Sequence, residues 1–218
     1  MKMTWDKVGE RLYETGIEQV ALFPIDENST YSKGVAWNGV TAFNLTPSGA
    51  EPTALFANDR KYLTLVSAEE LGGTIEAYTY PDEWMVCDGS AQVAPGVYIG
   101  QQARKTFGLA AKTLIGNDTN LTKHGYKLHL LYGGLAQPTE QSHATVSDSP
   151  EAATLSWEFT TTPVEVKNHG STSYICIDST KVDKDKLAAL EAIIYGSEEE
   201  EPRLPLPDEI IDIIGAAA

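Results

Sequence analysis

LVSAEELGGTIEAYTYPDEW, residues 65–84, decides the fold class. Leu63, Leu65 and the run Thr74–Tyr80 carry the β-branched, aromatic and aliphatic residues that suit strands. Gly72-Gly73 lies between the two runs, and glycine can take φ > 0, so a chain reversal is expected there. Ser67–Leu71 reads as one helical turn with Ser67 as its cap. Pro81 then ends the second strand, because proline donates nothing to a ladder.

Upstream of this stretch, Ile17 to Phe23 reads as a first strand closed by Pro24, and Gly34 to Leu45 as a strand pair or bent strand interrupted at Asn38-Gly39. Residues 1–16 are mixed and polar. Trp5, Val8, Leu12 and Tyr13 have the spacing of a short helix, weakened by Gly9 and Gly16, and the segment reads as an N-terminal arm. Residues 46–61, TPSGAEPTALFANDRK, contain two prolines and a glycine and are expected to form a long loop. Leu55 and Phe56 at its middle make it a candidate contact surface.

Downstream, residues 81–104 are turn-rich and lack a steady period. Thr106 to Ile115 is mostly apolar and small, the pattern of a strand buried on both faces. A connector through Gly125 leads to a strand at Tyr126–Leu131, and a polar loop follows at 136–150. Across Thr154–Val166, Leu155, Trp157 and Phe159 alternate with polar residues, and Ser173–Asp178 is the last strand expected. Asp183 then caps a helix at 183–195, whose stripe Leu187, Leu190, Ile193 and Ile194 should lie on the sheet before Gly196 stops it. About eight short strands and one good helix define a mainly β domain over 17–196, a sandwich or barrel with a flanking C-terminal helix.

Residues 197–218 change character. Four successive acids, Glu198–Glu201, precede the extended PRLPLP at 202–207 and then Ile210, Ile211, Ile213 and Ile214. The isoleucines need cover. Either they fold back as a latch over the helix at 183–195, or they form an arm that docks on a neighbouring subunit.

The chain has 218 residues and a formal net charge of −15, which argues against generic coating of nucleic acid. It does not argue against a surface past which DNA slides without sticking, because like charge keeps such a contact transient. The first residues contain no apolar signal-peptide core, no apolar run approaches a membrane span, and a soluble protein made in the cytoplasm is expected. Cys176, in an apolar strand, is expected to be a buried free thiol. No phosphate-binding loop, dinucleotide fingerprint, HExxH or GxSxG occurs. His124 and His129 point to opposite faces of a strand, so a shared metal is not expected. Neither a catalytic residue nor a cofactor is expected.

Eight segments together resemble the major tail (tail tube) proteins of long, non-contractile-tailed phages of Gram-positive bacteria. They are TWDKVGERLYETG at 4–16, AWNGVTAF at 36–43, GAEPTALFANDRKY at 49–62, SAEELGGTIEAYTYPDEW at 67–84, APGVYIGQQARKTFGL at 94–109, LIGNDT at 114–119, DSPEAATLSWEFTTTPVEV at 148–166 and PRLPLPDEII at 202–211. The resemblance implies a structural virion protein rather than an enzyme, assembled in the host cytoplasm as hexameric rings that stack into a tube. Such a tube encloses a tape-measure protein, joins other tail proteins and conducts DNA. The resemblance also implies that a long loop after an early strand bridges subunits, which makes Leu55 and Phe56 intersubunit candidates. Ile210, Ile211, Ile213 and Ile214 join them if the tail is an arm. A rival reading is a β-sandwich binding module for carbohydrate or a host surface.

Overall fold

The computed structural model describes residues 2–143, 145, 152–198 and 200–215. Part of the polar loop expected at 136–150, one residue of the acidic run (Glu199) and the last three residues of the C-terminal arm lie outside the described residues. The strands are β1 (Leu12–Pro24), β2 (Val35–Ala36), β3 (Val40–Gly49), β4 (Pro52–Ala57), β5 (Arg60–Val66), β6 (Glu69–Ala77), β7 (Ala91–Ala94), β8 (Val97–Ile99), β9 (Phe107–Asn117), β10 (Leu121–Ala136), β11 (Leu155–Thr161) and β12 (Tyr174–Asp178). The helices are α1 (Met85–Asp88), α2 (Lys184–Tyr195) and α3 (Pro207–Gly215). The protein is mainly β, as the sequence predicts.

Eight strands form one antiparallel sheet in the order β2-β1-β9-β10-β11-β6-β3. Its eighth strand, β12, pairs with β10. The long β10 forks the sheet: Lys127–Leu131 pairs with β12, and Gly134–Ala136 pairs with β11. The sheet rolls so that β3, β6 and β11 cover β1, β9 and β10. Ile75, Trp157 and Phe159 thereby meet Leu22, Phe107, Leu109 and Leu131 in one core. Trp37, Trp84 and Trp157 pack within it at ring separations of 4.7–5.6 Å.

A second core lies on the other face of the β1–β9–β10 layer. Ala110, Leu128, Leu130 and Tyr132 pack there against Leu187, Leu190 and Ile194 of α2. β9 is therefore covered on both sides, which accounts for its mostly apolar sequence. Asp183 caps α2 by accepting hydrogen bonds from the Asp185 and Lys186 amides, and Gly196 ends the helix.

Several local expectations are corrected. Ser67–Leu71 is not a helical turn, and Gly72-Gly73 does not reverse the chain: both glycines sit inside β6. They are there for space. A Cβ on Gly73 would stand 2.0 Å from the Asn44 carbonyl oxygen and 2.7 Å from the Phe159 ring. Residues 46–61 are not a loop. Pro47 belongs to β3, which among the described residues pairs only with β6, so its missing donor faces the free edge. The 81–104 segment holds a 3-10 turn at Asp82–Trp84, α1 and the β7–β8 hairpin. Cys176 is exposed and Cys87 is the buried thiol.

Candidate functional site

The most unusual surface grows out of the β3–β6 hairpin. That hairpin does not end at Gly49 and Glu69 but continues, after a break at Ala50-Glu51 and Ser67-Ala68, as β4–β5. The Ala50 amide still donates to the Ala68 carbonyl across the break, at 3.3 Å. At the far end Ala57 faces Arg60, and the two residues between them, Asn58 and Asp59, have φ of 51° and 59°. Two adjacent left-handed residues make the primed turn whose twist matches a hairpin. Asn and Asp tolerate that region better than other non-glycine residues.

Every residue of β4 and β5 except Ala54 is exposed. Leu55 pairs with Leu63 and Thr53 with Leu65 on one face, while Pro52 and Val66 pair on the other. Phe56 and Tyr62 are each 73% exposed. An isolated two-stranded hairpin is marginal in water. This one carries apolar side chains on both faces, so it gains most when another surface covers it. The structure therefore places the sequence candidates Leu55 and Phe56 on this exposed hairpin beside Tyr62, Leu63, Leu65 and Val66; the sequence reading takes Leu63 and Leu65 as strand residues and marks none of these four as a contact.

Two further exposed apolar surfaces accompany it. The β7–β8 hairpin presents Val93, Val97, Tyr98 and Ile99. The N-terminal arm presents Met3, Trp5 and Val8 without forming a helix. It is tied to the β9–β10 turn: the Gly9 amide donates to Asp118 Oδ1 at 2.9 Å, and Asn117 Nδ2 donates to the Gly9 carbonyl at 3.0 Å. From Leu12 on, the segment expected as arm is already β1.

The C-terminal isoleucines have a different fate. Ile210 is buried, and Ile213 and Ile214 pack beside it against Leu187, Leu190 and Ile194 of the same chain. Only Ile211 is exposed among the four. The strap before α3 is bolted in place. Leu204 is buried over Gly108, where a Cβ would come within 2.4 Å of it. The Tyr132 hydroxyl donates to the Pro205 carbonyl at 2.9 Å, and Arg203 grips Glu209 through two bonds of 2.8 and 2.6 Å. The latch, not the free arm, is the arrangement found. The prolines give reach, but the apolar cover on α2 is the nearest place for the isoleucines to leave water.

One polar cluster merits scrutiny for chemistry. Thr113 Oγ1 donates to Glu14 Oε1 at 2.6 Å, and Lys127 Nζ donates to Glu14 Oε2 at 2.5 Å. His129 Nε2 lies 2.7 Å from Thr113 Oγ1, and its Nδ1 lies 2.5 Å from the Tyr174 hydroxyl. Because the Thr113 proton goes to Glu14, the inventory of donors makes Nε2–H the donor to Thr113 and Nδ1 the acceptor from Tyr174. The chain thus runs in one direction, Tyr174 to His129 to Thr113 to Glu14. Burial pushes the His129 pKa below its ordinary value, against the pull of Glu14. Burial also works to raise Glu14, but the hydrogen bonds from Lys127 and Thr113 outweigh it and hold its carboxyl low. This cluster ties β1, β9, β10 and β12 together and presents no activated nucleophile. Cys87, raised to about 12 by burial, is an inert thiol. Among the described residues no group of three or more His, Cys, Asp and Glu could hold a metal ion, and no helix is long and apolar enough to cross a membrane.

No protein-family model matches the chain, and no curated protein matches its sequence.

Proposed function

We propose that this protein is a structural subunit that polymerises as stacked, hexameric rings into a phage tail tube through which DNA passes. The observation that carries the reading is the β4–β5 hairpin, exposed on both faces yet apolar on both. A hairpin of this kind is a liability for a chain that stays alone and an asset for one that assembles. The free edge of β3 points the same way, since joining edges between copies removes unpaired backbone groups. The resemblance in sequence supplies the particular assembly, including the tape-measure protein as the occupant during construction. The acidic balance fits a conduit for phosphate-bearing polymer.

The test is negative-stain microscopy of concentrated protein, wild type beside Leu55→Ser/Phe56→Ser. Rings or tubes are expected from the wild type. The double variant should keep the melting temperature of the folded monomer and assemble poorly. Normal tubes from the variant would remove the hairpin from the interface, and a wild type that stays monomeric at every concentration would end the tube reading.

A further inference from the structure

We propose that the groove between α2 and the β1–β2 corner receives the β4–β5 hairpin of a second copy of this chain; the inference rests on the assembly reading and names its receiving surface. The groove measures about 870 Å³ and is walled by Ile17, Val35 and Val40 on the sheet side and by Ala188, Ala192 and Tyr195 on the helix side. Ala188 and Ala192 lie one helical turn apart and both are exposed, so the helix wall is low where a large side chain would enter.

Charge selects the occupant. At the floor, Lys112 is neutralised by Glu191, with Nζ 2.7 Å from Oε1. Glu18, at the rim, is exposed, and among the described residues it has no ion-pair partner. The groove therefore offers apolar walls and a net negative rim. The hairpin offers the complement: Leu55, Phe56 and Tyr62 beside a tip in which Arg60 and Lys61 outnumber Asp59. It is a locally basic tip on a chain of net charge −15.

Position rules out the chain's own hairpin. Val40, at one end of β3, lines the groove, and Gly49, at the other end, is the hairpin root. That strand spans roughly 30 Å, whereas the six residues of β4 reach about 20 Å, so the tip falls short of its own groove however the break bends. The contact joins different surfaces on two copies, and such head-to-tail contacts propagate into rings or filaments.

Two experiments on the full chain test this. First, Ala57→Cys and Ala192→Cys are made separately in a Cys176→Ser background, mixed and oxidised. A disulfide between the two variants is expected, and neither variant alone should give it. Second, Arg60→Glu/Lys61→Glu should lower assembly by about tenfold or more in light scattering, with unchanged monomer melting, and adding Glu18→Lys should restore it. Assembly that proceeds without the mixed disulfide and ignores both charge changes would overturn the groove while leaving the tube reading standing. Wild-type protein that never self-associates would overturn both.

Discussion

His129 is the residue whose surroundings make the clearest solution prediction. Its native pKa lies below 6.5, chiefly because it is buried, whereas the unfolded chain protonates it at the ordinary value. Between those two values the unfolded state binds more protons, so stability is highest above about 6.5 and falls as pH drops towards the native pKa. The paired carboxylates Glu14, Asp178 and Glu209, all held below their ordinary values, add their own losses only at lower pH. Melting temperature should therefore begin to fall below neutrality in the wild type, and His129→Gln should flatten that first part of the curve. A variant with the same slope between pH 7 and 5.5 would remove His129 from the account. Gly73 gives a prediction of another kind. Its absent side chain lets β3 and β6 pair at full depth, so Gly73→Ala should cost about 1–3 kcal/mol in a urea titration. Gly100, with nothing within 4 Å of a built Cβ, should accept alanine with no such penalty.

At the scale of elements, the sequence is most legible where one pattern has one meaning. The alternation Leu155, Trp157, Phe159 gave β11, the two-sided apolar run gave β9, and Asp183 with Gly196 bounded α2. Glycine and proline misled because each has two uses. Gly72-Gly73 looks like a turn and instead serves close packing, while Pro47 looks like a strand breaker and instead occupies a free edge. For the same reason β4 reads as part of a loop, whereas Leu63 and Leu65 of β5 read as strand residues. The His129 cluster was not legible, because Glu14, Thr113, His129 and Tyr174 meet only once four strands are in register. The tail was ambiguous in principle: isoleucines need cover, and sequence does not say whose. With α3 seated on α2, Ile210→Ala should cost about 2–5 kcal/mol, as burial predicts. The exposed Ile211→Ala should stay within about 0.5 kcal/mol. Equal effects of the two on monomer stability would contradict the latch.

At the scale of the whole molecule, the charge of −15 acts on every copy and sets the conditions for the assembly we propose. Bringing such copies together costs long-range repulsion, which reaches about 30 Å at 0.01 M salt and only about 10 Å at 0.1 M. The contact we propose works in the opposite sense, but it is short-range, and once dehydrated it is screened far less. Raising salt from low to near-physiological levels should therefore speed assembly, because the repulsion is removed first and the apolar hairpin remains. Lowering pH towards the sequence pI near 4.6 should act in the same direction until the pH-sensitive network at His129 and Glu14 weakens the fold itself. The same charge sets the behaviour of DNA. The conduit we propose must let phosphate pass, so free duplex DNA should bind weakly, without the steep loss of affinity with salt that follows when bound lysines and arginines displace counterions. The measurement is a pair of titrations, light scattering of the protein against salt and fluorescence anisotropy of a labelled duplex against protein. Fastest assembly at the lowest salt, or tight and strongly salt-dependent DNA binding, would show that local basic surface, not the net charge, governs how these copies meet one another and nucleic acid.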